Sequence, residues 1–402
     1  ETLYSIFYDG SYSNIALDKA LSDIKENKAF ISALVYGVTE RKITLDYFID
    51  KYAQGRIKPK VRIVLWLGVY QLLFMDKVPS SASINESVKL VKEIKQDYYS
   101  KLVNAVLHKI DNDRQIPDDL SVKYSVPENL INMWKKQYGE DVLNEFLPCI
   151  NDKPPLFAIP NKKFVNSDEL LYELECDGIL GEAYDEFVLI ENANDLTDSK
   201  AFKNGLFYIE DLSSFNCANA LDALADDLVL DMCSAPGGKA FTISQSMNNS
   251  GKIYCYDLHE HRLNLIKNSA KRLSIDNIYT DVNDATVYNE NIPKADKILC
   301  DVPCSGFGII RRKPEIRYKD LDRVKDLPQI QYKILETSSR YLKDGGRIIY
   351  STCTLNKKEN ENVVNKFLKD HSGYKLLKDK TVFPSTVGGD GFYYAIMVKN
   401  EN

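Results

Sequence analysis

From residue 228 onward this chain alternates short apolar runs with amphipathic stretches, and that alternation constrains its fold more than any other feature. Leu228-Val229-Leu230-Asp231, Lys252–Asp257, Ile278–Val282, Lys297–Asp301 and Arg347–Ser351 each read as strands. Helical patterns lie between them. One starts near Lys239 and one runs through Leu273. A third spans Ile330–Leu342, with Asp344-Gly345-Gly346 as its glycine C-cap, and a fourth starts at Asn356, with Glu359 at capping-box spacing. Tyr393–Val398 closes the pattern as a strand. Such alternation predicts a parallel, doubly wound sheet that binds ligands at its strand C-termini.

The rest of the chain is different in kind. With 402 residues it exceeds one ordinary core, so several domains are expected. Residues 1–115 read as all-helical. Val61–Phe74 is apolar on most faces, which predicts a buried central helix. Val78-Pro79-Ser80-Ser81 breaks it, and Ser83-Ile84-Asn85-Glu86 has the form of a capping box opening the next helix. Residues 120–205 read as linker helices followed by a small α/β module, and 206–402 as the alternating domain.

The loop after the first strand of the alternating domain is Asp231-Met232-Cys233-Ser234-Ala235-Pro236-Gly237-Gly238-Lys239. Its glycines permit close approach of a ligand, and it opens a helix, whose N-terminus favours polar groups. Asp257 ends the next strand, where an acidic side chain suits ribose hydroxyls. The loop matches neither GxGxxG nor a Walker A sequence, which leaves S-adenosylmethionine as the expected cofactor. Asp284, after the following strand, is a candidate for the adenine amino group, or else a solvated loop acid.

Two cysteines sit just beyond strand ends on that same edge: Cys304 after Asp301-Val302-Pro303, and Cys353 after Ser351-Thr352. Cys255 and Cys300, inside strands, read as small hydrophobes. A thiolate beside a methyl donor suits methylation at C5 of a pyrimidine. Adding the thiolate to C6 makes C5 nucleophilic, and an acid at N3, for which Asp301 is the candidate, eases the addition. This chemistry does not say which cysteine attacks.

These residues carry a resemblance. The cofactor loop, Asp301-Val302-Pro303-Cys304-Ser305-Gly306 with Arg311-Arg312-Lys313-Pro314, Tyr350-Ser351-Thr352-Cys353-Thr354 with Glu359-Asn360, and Gly389-Asp390-Gly391-Phe392 resemble the RNA cytosine-C5 methyltransferase family. The likeness is strongest to its Sun/RsmB (Fmu) branch of 16S ribosomal RNA methyltransferases. Ala33–Val38, Gly68–Leu73, Ile84–Val88 and Leu102–Leu107 resemble the NusB-like RNA-binding domain of that branch. The resemblance implies an all-α NusB-like domain and a C-terminal Rossmann-like class I methyltransferase. It implies Cys353 as nucleophile and Cys304 as the aid to product release. Cofactor contacts fall on Cys233, Ser234, Ala235, Pro236, Gly237, Gly238, Lys239, Asp257, Asp284 and Asp301. The implied substrate is 16S ribosomal RNA, with tRNA or another RNA as the alternative for the same chemistry. The chain departs from the family pattern at Phe307, at Glu210-Asp211 and in Pro154–Asn161.

Charge bears on the partner. The chain carries a formal −6, divided as +2 over residues 1–125 and −8 over the remainder. An RNA must therefore meet local patches. Arg311, Arg312 and Lys313, with Arg317 and Lys319, form one, and Arg56–Arg62 another. The eight cysteines are scattered, with no metal-binding spacing and no signal-peptide pattern ahead of them, so they read as reduced cytoplasmic thiols. No apolar run suits a membrane span. Nothing in the sequence demands more than a monomer. A non-catalytic assembly factor and a dinucleotide-dependent oxidoreductase are the competing classes, and the intact loop and cysteines weigh against both.

Overall fold

Apolar residues on nearly every face of Pro59–Phe74 force that helix into the middle of a helical cluster. In the computed structural model, which describes residues 1–401 except 23, 25, 193–195 and 385–387, Lys28–Tyr52, Ser80–Glu93 and Ser100–Asp111 pack around it. Val61, Leu65, Trp66 and Val69 are buried there. The expected capping box is absent. The helix begins at Ser80 behind Pro79, so Ser83 lies inside it, and its hydroxyl donates to the Gly68 carbonyl at 3.1 Å. Glu86 pairs with Lys89 instead of reaching back to the helix start.

The chain divides into two compact units: Glu1–Asp152 with Ile310–Leu321, and Lys153–Ile309 with Asp322–Asn402. The cuts differ from the sequence boundaries in two respects. The helices Glu128–Tyr138 and Glu140–Phe146 belong to the first unit, where Trp134 and Phe146 are buried and meet edge-on at 5.2 Å. Residues 310–321, far away in sequence, are also built into it. Arg317 is 1% exposed. Its guanidinium donates to the carbonyls of Glu40 (2.8 Å) and Ser125 (3.2 Å) and to Asn151 Oδ1 (2.8 Å). Ser13 Oγ donates to Glu315 Oε2 at 2.7 Å.

The second unit begins with strands β1 (Leu156–Pro160), β2 (Gly181–Tyr184), β3 (Phe187–Ile190) and β4 (Phe207–Ile209). They form an antiparallel sheet in the order β2-β3-β1-β4. Helix Ser167–Cys176 follows β1 behind a capping box of Asn166 and Glu169. The large sheet comprises β5 (Leu228–Asp231), β6 (Lys252–Asp257), β7 (Ile278–Val282), β8 (Ala295–Asp301), β9 (Leu342–Thr352), β10 (Tyr374–Val382) and β11 (Phe392–Lys399). Its order is β10-β11-β9-β8-β5-β6-β7. β5 to β9 pair in parallel, while β11 runs antiparallel between β9 and β10. Alternate residues feed two cores. Val229, Ile253, Leu299 and Ile349 lie on one face, and Leu230, Ile298, Cys300 and Ile348 on the other. Strand order reverses at β5, with β6 and β7 to one side and β8 and β9 to the other, which opens a crevice at the strand C-termini there.

Two local expectations are corrected. Asp344-Gly345-Gly346 does not cap a helix. That helix ends at Ser339, and the glycines lie within β9, where the pairing with β8 slips between Ala295 and Lys297. Gly345 takes φ +72° there, a conformation that serves a bulge as well as a cap. Likewise the last helix starts at Glu361, not at Asn356. Asn356 and Glu359 do bond each other, but inside the site described next.

Candidate active site

β5 delivers Asp231 to the crevice, and the loop behind it turns through Gly237 (φ +108°) into helix Gly238–Ser246. A Cβ on Gly237 would stand 2.8 Å from the Phe241 ring, so the turn requires glycine. The Ser234 amide bonds the Tyr256 carbonyl at 2.8 Å, which ties the loop to β6. Arg262 bonds the Ala235 carbonyl (2.8 Å) and pairs with Asp257 (3.0 Å).

A cavity of about 360 Å³ lies against this loop, lined by Asp231, Cys233 through Pro236, Gly238, Lys239 and Asp301. Glu210, Asp211 and Ser214 also line it. Lys239 Nζ donates to Asp301 Oδ2 (2.8 Å) and Ser214 Oγ (3.1 Å). Burial works against its charge, but Asp301 and Glu210 outweigh that and lift its pKa above the usual lysine value. Burial also pushes the carboxyls of Asp231 and Glu210 up to about 7 each, despite Lys239. Both Asp231 oxygens, Ser234 Oγ and Glu210 Oε1 are buried with no hydrogen-bond partner. Several unsatisfied buried polar atoms around one cavity describe a site shaped for a ligand that supplies their partners.

The sulfurs of Cys304 and Cys353 stand 3.0 Å apart, beyond the ends of neighbouring strands β8 and β9. Asp301, the last residue of β8 and three positions before Cys304, lines the cavity, and its Oδ1 accepts at 2.8 Å from Ser351 Oγ, two positions before Cys353. Both cysteines are free thiols. The hydrogen bond to Cys353, and burial after it, push the Cys304 thiol well up.

A buried carboxylate fixes both cysteine loops. Glu359 Oε2 accepts from the Ser305 amide and Gln331 Nε2, each at 2.9 Å. Its Oε1 accepts from Ser305 Oγ (2.6 Å) and Asn356 Nδ2 (2.9 Å). Ser305 Oγ also meets Thr354 Oγ1, the residue after Cys353, at 2.7 Å. The Gly308 amide bonds the Cys353 carbonyl (3.1 Å), and the Gly391 amide bonds the Gly308 carbonyl (2.9 Å). The sequence presents Glu359 as a helix cap, because only the fold reveals partners some fifty residues away. Glu210 entered the sequence reading only as a departure from the family pattern.

The structure gathers the loop residues, Asp301, Cys304 and Cys353 in one region. Asp257 is committed to Arg262 and does not line the cavity. Asp284 is exposed and accepts from the amide and hydroxyl of Thr286, at 2.9 and 2.6 Å, as a loop acid does. The basic run is dispersed within the first unit. Arg311 is buried, Lys313 lies 5.2 Å over the Tyr12 ring, and Arg317 is spent on internal carbonyls. Arg317 is thus withdrawn from the expected surface patch. Among the described residues no cluster of three His, Cys, Asp or Glu could hold a metal ion, and no helix is long and apolar enough to cross a membrane.

Comparison with known proteins adds a family. Residues 218–398 match the family model described as 16S rRNA methyltransferase RsmB/F, and residues 1–112 match the NusB family. The chain is 32% identical to a probable ribosomal RNA small subunit methyltransferase B of Bacillus subtilis, over 99% of this chain and 97% of that one. It is 30% identical to the corresponding Synechocystis protein, over 91% and 86%. The solved structure of PH0851 superposes with a TM-score of 0.83 at 28% identity, covering 99% of this chain and 96% of that one.

Proposed function

Because the chain belongs to the ribosomal RNA small subunit methyltransferase B family, we propose that it methylates C5 of one cytosine in 16S ribosomal RNA through a covalent cysteine adduct. Membership makes it an S-adenosylmethionine-dependent ribosomal RNA methyltransferase. The observation that carries the finer reading is the pair of sulfurs 3.0 Å apart, each close in the chain to the cavity-lining Asp301 or to Ser351, which bonds it. The cavity suits the cofactor, since its orphaned carboxylate and hydroxyl oxygens call for the hydroxyl and ammonium donors that S-adenosylmethionine carries. Gly237, Gly238 and Lys239, with Asp231 and Ser234, would hold it there, and when bound it supplies a methyl group on a sulfonium centre.

The chain's own residues prepare the base. Cys353 adds as thiolate to C6, forming the S–C6 bond. The displaced π pair passes through C5 and C4 to N3, where Asp301 is assigned the proton delivery. To do so Asp301 must take up a proton and release Lys239. With the methyl on C5, Cys304 gives its own proton to solvent and as thiolate removes the C5 proton, the C5=C6 bond reforms, and the Cys353 thiolate departs as N3 returns its proton. The target base must be unpaired or flipped out, because C6 is attacked from one face and C5 methylated from the other.

The test is a pair of variants with RNA and methyl donor. Cys353→Ala should abolish turnover, and Cys304→Ala should leave a protein–RNA adduct that survives denaturing electrophoresis. Normal turnover in Cys353→Ala would refute the nucleophile assignment. Bisulfite sequencing of ribosomal RNA from a deletion strain tests the substrate: one cytosine in 16S RNA should lose protection.

A further inference from the structure

Glu210 stands outside every assignment made so far, yet it forms part of the cavity wall. It is 7% exposed. One oxygen, Oε2, accepts from Thr242 Oγ1 at 2.5 Å, and that hydroxyl in turn meets Tyr208 OH at 2.7 Å. The other, Oε1, is buried with no partner. It lies beside the cofactor loop, since a Cβ on Gly238 would fall 3.2 Å from it. A buried acceptor held this firmly on one side and empty on the other is completed by a donor from the ligand.

The charges identify the donor. Glu210, Asp211, Asp231 and Asp301 line the cavity with two cations: Lys239, whose bond goes to Asp301, and Arg272, which donates to the carbonyls of Phe202 and Phe207, while Asp211 accepts from the amides of Ser213 and Asp390. The balance leaves Glu210 and Asp231 calling for positive charge. The amino-acid end of S-adenosylmethionine carries an ammonium group, and β8, with Asp301, marks the side of the crevice towards the cysteines. We propose that Glu210 is a cofactor-binding residue that takes the α-ammonium group of S-adenosylmethionine on Oε1. This rests on reading the cavity as the methyl-donor site.

The proposal has a pH signature. The titratable groups facing Glu210 are Lys239, Asp211, Asp301, Tyr208 and Cys217, with Asp231 and Arg272 lining the same cavity. Burial holds the Glu210 carboxyl near 7 without a ligand, and an ammonium partner favours its ionised form. Affinity should therefore rise as pH passes upward through 7.

Calorimetry on the full chain tests this with two probes. S-adenosylhomocysteine keeps the ammonium group, and methylthioadenosine lacks the whole amino-acid end. Glu210→Gln preserves shape and removes the charge. It should weaken S-adenosylhomocysteine about tenfold or more at pH 8, change methylthioadenosine less than twofold, and flatten the pH dependence of the first ligand. Preserved methylthioadenosine binding also shows that the variant is folded. Equal affinity of Glu210→Gln and the unaltered chain for S-adenosylhomocysteine would overturn the proposal, as would equal losses for both probes. If the unaltered chain binds neither probe, the methyl-donor reading of the cavity falls, and this inference with it.

Discussion

Replacing Glu359 by alanine should cost this protein both stability and turnover. The carboxylate accepts four hydrogen bonds, from the Ser305 amide, Ser305 Oγ, Gln331 and Asn356. All three partner residues are buried, and Ser305 and Gln331 are fully so. Hydrogen bonds to a charged acceptor contribute about 1.5–3 kcal/mol each, and a buried donor left alone costs about 1–3 kcal/mol. The hydroxyl of Ser305 has a second partner in Thr354, and the Gln331 amide has one in the Pro303 carbonyl at 3.0 Å. The Ser305 amide and Asn356 Nδ2 are the two donors that lose this acceptor. The net loss should be about 3–5 kcal/mol, smaller than the sum of four bonds because two donors redirect. In a unit of this size that lowers the melting temperature by about 6–20 °C. Glu359→Gln should fall between, because its amide places a donor against at least one of the four donors. Turnover should drop in both variants, since Ser305 follows Cys304 and bonds Thr354, which follows Cys353. Thermal unfolding and single-turnover methylation measure the two effects. Glu359→Ala with an unchanged melting temperature and normal single-turnover rate would refute the view that this carboxylate sets the cysteine geometry.

Three further outcomes follow from the same structure. Gly308→Ala would put a Cβ 1.9 Å from the Gly391 carbonyl oxygen; it should cost about 1–3 kcal/mol and slow methylation by displacing the Cys353 carbonyl, so full activity at normal stability counts against it. Arg317→Met removes a buried guanidinium from several carbonyls; limited proteolysis should cut within residues 1–152 about a hundredfold faster, corresponding to about 3 kcal/mol, whereas an effect confined to RNA affinity would restore Arg317 to the surface patch. The folded-state carboxyls of Glu210 and Asp231 lie near 7, above their ordinary values, so their contribution to stability is complete below about pH 4 and is lost as pH rises through 7. The ligand-free melting temperature should fall over that window, and fall less in Glu210→Gln; a slope of opposite sign in the variant difference would show that Glu210 is ionised in the free protein.

The sheet was legible in sequence where strands are buried on both faces. β5, β6 after Lys252 and β8 after Lys297 are apolar runs ended by an aspartate, and a parallel interior strand has little choice but to read so. β10 escaped because it is an edge: Lys375, Lys378 and Lys380 are exposed along it, as expected of an edge strand guarded against pairing with another chain. Gly345-Gly346 misled because a left-handed glycine serves a helix cap and a β-bulge alike, and only the slipped pairing with β8 distinguishes them. The site divides along the same line. The cofactor loop and both cysteines each belong to one strand end, so their meaning is carried by adjacent residues. Glu210 and Glu359 mean nothing locally. One lies 28 positions before the Gly238 it abuts, and the other bonds a serine 54 residues away. Their burial is what separates them from a chain rich in surface acids, and their opposite states separate them from each other. Glu359 has every lone-pair direction engaged, which suits a rigid support. Glu210 has one oxygen open, which suits a ligand. A buried carboxylate without its full set of donors is costly to keep. Its retention beside a cavity is therefore intelligible only if the missing donor arrives with what the cavity binds.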